Sequence, residues 1–212
     1  MKKQLTGERW LDSSSKRRFD VAFSLALLGP AVGIGVFSAA ALYLEKPTKP
    51  WFKQLRVGQD GAHFDIHKLR TMTATDFYDA STGTHDYRRT AVGKILGVAG
   101  IDELPQLLNV LQDDMSIVGP RPLPTVVVDD MRDVLSETEF NEWFRAYTFP
   151  KPGLTSQFSN VSRNLDPQTD EYLLTRAEMD IAYISNASRA FDTKLIVESG
   201  ALAISRLASL LG

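Results

Sequence analysis

The chain has no cysteine, which excludes a disulfide framework and a thiolate metal site and leaves a reducing compartment compatible. It also lacks an excess of one charge: 24 basic residues face 26 acidic ones, for a formal net charge of -2. A nucleic-acid binder concentrates Lys and Arg to neutralise phosphates, so nucleic acid is not an expected partner and any phosphate chemistry has to come from locally placed charge. Histidine is scarce, with His63, His67 and His85 only. His63 and His67 have i,i+4 spacing, but the residues between them alternate as in a strand, so surface histidines are expected there before a metal pair. There is no internal repeat and no low-complexity tract. What is present is a 212-residue chain with 43% hydrophobic residues, enough for one folding unit with a core and an appendage.

The run from Val21 to Leu44 carries no charged side chain and follows directly on Lys16, Arg17 and Arg18. As one straight helix it would measure about 36 Å, enough to cross a hydrocarbon layer about 30 Å thick. Two features oppose a simple span. Gly29-Pro30 lies near its middle, where proline removes a donor and favours a kink. Basic residues also flank both ends, with Lys46, Lys49, Lys53 and Arg56 on the far side, and the positive-inside rule asks both flanks to stay cytoplasmic. A helix that enters, breaks and leaves by one face satisfies both, while a spanning helix whose neighbours repair the freed carbonyl satisfies length alone. The residues by themselves leave the two open. A secretory signal is not expected, because no small-residue cleavage site followed by a polar mature sequence comes after Leu44.

Beyond the apolar run, Trp51–Val57 and His63–Leu69 read as two short strands joined by Gly58-Gln59-Asp60-Gly61, residues able to take positive φ. Thr71–Arg89 is polar and aperiodic and is expected to be a loop. Leu104, Leu107, Leu108 and Leu111 have helical spacing, with Pro105 in the first turn, which places Asp102 and Glu103 at the helix start. Ser136–Tyr147 and Glu171–Ser188 are expected to be helices, and Phe149-Pro150-Lys151-Pro152-Gly153 a break. The tail from Asp192 to Leu211 is apolar over a broad face, and an interfacial position at a membrane is expected in preference to packing on the domain. The expected class is α+β, mainly helical. It comprises residues 1–46 with the membrane helix, 47–191 as a compact helical catalytic domain after a short hairpin, and 192–212 as an amphipathic helix.

Chemistry points to Asp102-Glu103. A carboxylate near a helix N-terminus stays ionised, and the same end of the helix attracts phosphate. Asp102 as a mere helix cap is the structural alternative, weakened because Pro105 lacks one of the amides such a cap accepts from. Two neighbouring carboxylates also suit Mg²⁺, which takes one or two carboxylates and completes its octahedron with water and phosphate oxygens. In Gly119-Pro120-Arg121-Pro122 an arginine stands between prolines, placed to grip phosphate in forked geometry or to remain a simple turn arginine.

The order of these pieces resembles the bacterial sugar transferases, the monotopic polyprenyl-phosphate phosphoglycosyl transferases. The likeness runs through Lys16-Arg17-Arg18-Phe19-Asp20, Gln54-Leu55-Arg56-Val57-Gly58 and Lys68-Leu69-Arg70-Thr71-Met72. It is strongest from Ile101 to Leu111 and from Asp114 to Pro122, and weaker echoes follow at Lys151-Pro152-Gly153-Leu154-Thr155 and Arg163-Asn164. The resemblance implies a re-entrant helix broken at Gly29-Pro30, a bacterial inner membrane location and an active site on the cytoplasmic face. It implies that Asp102 attacks the sugar-bearing phosphate of a UDP-sugar, that UMP leaves, and that polyprenyl phosphate, undecaprenyl phosphate in bacteria, takes the sugar phosphate from Asp102. Glu103 is then the Mg²⁺ ligand and Arg121 a phosphate ligand, with Lys68, Arg70, Lys94, Arg88 and Arg163 as further substrate-binding residues. Membrane lipid is a partner, and a homodimer is compatible with the chain.

The chain departs from the family pattern in two places. Gly97-Val98-Ala99-Gly100-Ile101 stands where the family carries a basic and hydroxyl run, so a guanidinium is missing at Gly97, with Lys94, Arg88 or Arg89 as substitutes. Ser156-Gln157-Phe158-Ser159 stands where the family has Gly followed by Trp and Gln, so the donor pocket is expected to differ. A catalytically silent membrane scaffold is the competing reading, disfavoured by the joint presence of Asp102, Glu103 and Arg121.

Overall fold

A computed structural model describes residues 6–72, 90–162 and 165–211. The substrate-binding candidates Arg88 and Arg163, together with Arg89 and His85, lie outside the described residues. The fold is mainly helical, as expected. Short helix α1 (Thr6–Leu11) precedes α2 (Ser14–Glu45), and β1 (Trp51–Val57) pairs antiparallel with β2 (His63–Leu69). Then come α3 (Ala91–Ala99), a 3-10 turn at Ile101–Glu103, α4 (Gln106–Leu111), β3 (Ser116–Val118), α5 (Thr125–Val134) and α6 (Glu137–Thr148). The chain closes with β4 (Gly153–Thr155), α7 (Gln157–Val161), α8 (Asp170–Asn186) and α9 (Arg189–Leu211).

Ser13 starts α2 by accepting the Lys16 amide at 3.1 Å. The helix has the inverse of a water-soluble pattern. Its buried stripe includes Lys16, Asp20, Ser24 and Ser38, whereas Leu25, Val32, Val36, Phe37 and Leu44 are exposed, Phe37 at 81% and Leu44 at 83%. Such an outward face is stable against hydrocarbon and costly against water. By length and composition α2 is long and apolar enough to cross a membrane. The expected break at Gly29-Pro30 does not interrupt it: helix runs unbroken from Ser14 to Glu45 with Pro30 inside. Proline deletes one donor of the ladder, and the bonds on either side are enough to carry the helix past it.

Both ends of α2 are tied to the same globular body. At the start, Arg17 Nη1 donates to the Val110 carbonyl at 2.6 Å and Lys16 Nζ to Asp192 Oδ2 at 2.7 Å. At the finish, Leu42 is buried with Leu69 and Leu96, and the Glu45 carboxylate accepts the Ala91 amide at 2.7 Å and the Val92 amide at 3.1 Å, capping α3.

The hairpin has the expected register ends, Trp51 opposite Leu69 and Val57 opposite His63, and its turn places Asp60 at φ 54° and Gly61 at φ 76°. One core gathers Ile66, Leu107, Val110, Met115, Val118, Tyr183 and Leu195, and a second gathers Val57, Leu123, Met131, Phe140, Trp143 and Tyr147. The break expected at Phe149–Gly153 follows the end of α6 and leads into β4, which pairs parallel with β3, Ser116 opposite Gly153. The two backbones approach so closely that a Cβ on Gly153 would lie 2.1 Å from the Gly119 amide nitrogen. Glycine at both positions is what permits the contact. The tail helix α9 begins at Arg189 and buries Leu195 against the first core, with Phe191 and Ile196 packed beside it, while Val197 and Ile204 further along are exposed. Its first half therefore packs on the domain, where an interfacial position was expected for the whole tail.

Candidate active site

Gly100, at φ 70°, ends α3 in the left-handed region and turns the chain into the 3-10 turn that carries Asp102 and Glu103. Pro105 precedes α4, which has no side-chain cap, so Asp102 is not the helix cap of the structural alternative. Asn109 on α4 fixes the turn against the hairpin: its Oδ1 accepts the His67 amide at 3.1 Å and its Nδ2 donates to the Asp65 carbonyl at 2.8 Å. With α4 pinned to β2, the side chain of Glu103 meets that of Lys68.

Glu103 Oε1 accepts from Lys68 Nζ at 2.7 Å and from Arg121 Nη2, and Glu103 Oε2 accepts from Arg121 Nη1 at 3.2 Å. The arginine grips the carboxylate in the forked geometry that it is expected to offer a phosphate. Burial alone would raise the Glu103 carboxyl, but the charges and hydrogen bonds of Arg121 and Lys68 hold it well below the usual carboxylate range. The Glu103 charge in turn raises Arg121. Lys68 is pushed down by burial, and Glu103 restores only part of the shift. The charge of Asp102 also acts on both Lys68 and Arg121, which places it in the same electrostatic neighbourhood.

The Gly119–Pro122 loop is held by its carbonyls. Arg176 Nη2 donates to the Arg121 carbonyl at 2.5 Å, and Arg56 Nη1 donates to the Pro122 carbonyl at 3.2 Å. Arg176 is itself backed by Asp180 at 3.5 Å, which accepts the Trp143 indole at 3.1 Å. Burial first, and the neighbouring Arg121 second, bring Arg56 down to about 10. Neither Arg56 nor Arg176 was among the candidate site residues. Arg56 was visible as a basic flank of the apolar run and as part of Gln54–Gly58, and Arg176 carries no motif signal.

The other candidates fall elsewhere. Arg70 packs over Phe52 with its guanidinium carbon 5.5 Å from the ring centre. Lys94 is exposed on α3, and among the described residues it makes no hydrogen bond or ion pair to Glu103. His63 and His67 stand on β2 as expected, His63 Nε2 lying 3.2 Å from Thr125 Oγ1 and the His67 ring 5.9 Å from that of Trp51.

The donor chemistry admits a divalent cation on one condition. Glu103 Oε1 has both of its acceptor directions engaged, and Oε2 keeps one. Glu103 would hold a hard cation at that oxygen only once Arg121 turns away to another anion.

Two cations about a buried carboxylate that is next in sequence to a second, on a domain tied to both ends of an apolar helix, form an arrangement compatible with a membrane-associated enzyme that handles phosphate. Comparison with known proteins identifies which. The family model for bacterial sugar transferases matches residues 11–206, and the chain belongs to that family of sugar-phosphate-transferring enzymes. It is 38% identical over 188 residues to the UDP-glucose:undecaprenyl-phosphate glucose-1-phosphate transferase of Caulobacter vibrioides, covering 87% of this chain and 67% of that protein. It is 34% identical over 194 residues to the exopolysaccharide production protein PSS of Rhizobium leguminosarum, covering 88% and 93%. The Escherichia coli UDP-glucose:undecaprenyl-phosphate glucose-1-phosphate transferase is 31% identical over 183 residues, 85% of this chain but 38% of that longer protein.

Proposed function

We propose that the protein transfers a sugar phosphate from a UDP-sugar to a polyprenyl phosphate, undecaprenyl phosphate, as an initiating step of exopolysaccharide assembly. The observation that carries the reading is Asp102 beside a Glu103 held by Lys68 and Arg121, in a chain similar to proteins named for that reaction. Asp102 Oδ attacks the phosphorus that bears the sugar, a P–O bond forms to the carboxylate, and the bridging P–O bond breaks to release UMP. An oxygen of polyprenyl phosphate then attacks the same phosphorus and the Asp102 carboxylate leaves. Arg121 turns from Glu103 to the incoming phosphate, and Lys68 keeps Glu103 ionised and in place. Glu103 would hold Mg²⁺, which when bound would offset charge on the transferred oxygens. Arg70, Lys94, Arg88 and Arg163 are proposed as outer contacts to the nucleotide diphosphate.

We further propose that α2 is re-entrant, entering and leaving the inner membrane on the cytoplasmic face. Support comes from its two ends, which bond to one globular body and so belong on one side of a bilayer, and from its apolar outward face. The exposed apolar side chains of α9, Val197, Ile204 and Leu210, are proposed to face the interface beside it.

The test is covalent. With Mg²⁺ and the right UDP-sugar but no acceptor, the protein should gain the mass of one sugar phosphate and release a stoichiometric burst of UMP. Asp102→Asn keeps the shape, removes the nucleophile and should lose both signals, a loss of at least about a thousandfold in turnover. Full turnover in Asp102→Asn would remove the aspartate from the mechanism.

A further inference from the structure

Beside the Glu103–Arg121 pair lies a cavity of about 10 Å³ lined by Arg56, Ile66, Lys68, Gln106, Arg121 and Pro122. That volume accommodates a guest the size of one oxygen atom. Its charged side chains are all cations. The carboxylate that compensates two of them, Glu103, bonds Lys68 and Arg121 from outside the lining. Two lining residues carry buried donors without a partner among the described residues, Arg56 at Nε and Gln106 at Nε2, and Gln106 is only 2% exposed.

Buried donors without acceptors are costly and rare, and here two share one oxygen-sized space among three cations. A metal ion is excluded by that charge. A neutral oxygen would satisfy the donors but leave the excess positive charge, whereas an anionic oxygen does both. Gln106 follows Glu103 by one helical turn and is buried at the start of α4, a position where any apolar residue would pack without the cost.

We propose that this cavity is an oxyanion subsite: one non-bridging oxygen of a phosphate group enters it and accepts from Gln106 Nε2 and Arg56 Nε. Gln106 and Arg56 then bind substrate directly, alongside Arg121. The inference rests on the reading that the Asp102 site works on phosphate esters. The oxygen belongs either to the nucleotide diphosphate or to the prenyl monophosphate, which share this chemistry.

The experiment uses the full chain purified in detergent and titrates it calorimetrically with inorganic pyrophosphate, UMP and a short soluble prenyl phosphate. Gln106→Leu should weaken pyrophosphate binding about tenfold or more, the loss of one charge-assisted hydrogen bond. Gln106→Glu should weaken it at least as much while raising the ligand-free melting temperature, because its carboxylate takes the oxyanion's place among the cations. A packing role for Gln106 predicts no such opposition of affinity and stability. Should Gln106→Leu fold poorly, Arg56→Lys keeps the charge, withdraws the Nε donor and should lower affinity several-fold. Loss confined to UMP assigns the oxygen to the nucleotide, and loss confined to the prenyl phosphate assigns it to the acceptor. The subsite is overturned if the variants bind pyrophosphate as the wild type does, or if the wild type fails to bind it at millimolar concentration. Absence of UMP release from every UDP-sugar, with pyrophosphate affinity and its dependence on Gln106 intact, defeats the transferase reading and leaves the subsite standing.

Discussion

Two charge clusters in this molecule differ in how deeply they are buried and in what stands beside them. At the root of α2, Lys16 Nζ donates to Asp20 at 3.1 Å, to Asp192 at 2.7 Å and to the Val118 carbonyl at 3.2 Å. Asp192 also accepts from the Trp10 indole at 2.9 Å and the Tyr183 hydroxyl at 2.9 Å, and Asp20 from the Ser116 hydroxyl at 3.0 Å and the Ile117 amide at 3.2 Å. The Lys16, Asp20 and Asp192 side chains are at most 5% exposed. The Lys68–Glu103–Arg121 cluster is more open, with Glu103 at 17% and Arg121 at 36%, and among the described residues it has the unpartnered donors Arg56 Nε and Gln106 Nε2 beside it. The more deeply buried network fixes one arrangement of helices, whereas the more exposed cluster, with unmet donors beside it, can exchange a partner for a ligand. The difference separates the joint at the root of α2 from the proposed active site.

The largest effect expected from breaking this contrast is at the joint. Lys16→Met leaves Asp20 and Asp192 buried without their cation, which should destabilise the protein by about 3–5 kcal/mol, read as a lowered midpoint of chemical unfolding in detergent. The folded fraction should still bind UMP with wild-type affinity. If affinity falls in step with stability, the two clusters are one unit and the contrast fails.

A smaller loss is expected at the site. Arg121→Lys keeps the charge and loses the fork, so kcat/KM for the UDP-sugar should fall by about 1.5–3 kcal/mol, roughly tenfold to over a hundredfold, with stability nearly unchanged. A large drop in melting temperature with unchanged kcat/KM would mean that Arg121 is a structural partner of Glu103 and nothing more.

The smallest expected effect is in the pH dependence of stability. Glu103 is held below its ordinary value of 4.5. Its contribution is therefore complete above the unfolded value and is lost as pH falls through the lower folded one. Unfolding midpoints followed from pH 7 down to pH 3 should decline more steeply below about pH 4.5 in the wild type than in Glu103→Gln. Parallel curves would show that Lys68 and Arg121 do not hold the carboxylate in the folded protein.

Much of this was legible from local sequence. The apolar run, the hairpin and the turn at Asp60-Gly61 were read from periodicity and turn residues. So were α6, which opens on a Ser136–Glu139 capping box, and α8. Helix α3 was not read, because Gly93 and Gly97 depress its propensity, and Gly93 is required by the Thr71 carbonyl, which a Cβ there would meet at 2.2 Å. Helix α5 opens on Val126-Val127-Val128, a β-branched run with no helical signature of its own. The β3–β4 pair joins three-residue strands far apart in the chain, below the length at which alternation can be recognised.

The site shows the same division. Adjacent carboxylates, an arginine between prolines and a helix too long and apolar for an ordinary core are covalent neighbours, and their meaning is carried by short-range chemistry, so the sequence by itself determined them. That Glu103 faces Lys68 and Arg121, that Gln106 and Arg56 share a cavity, and that Lys16 meets Asp192 are matters only the tertiary structure decided. These pairs stand 35, 18, 50 and 176 residues apart. Coulombic and hydrogen-bond energies depend on distance in space, which separation along the chain does not set until the helices and the hairpin have packed.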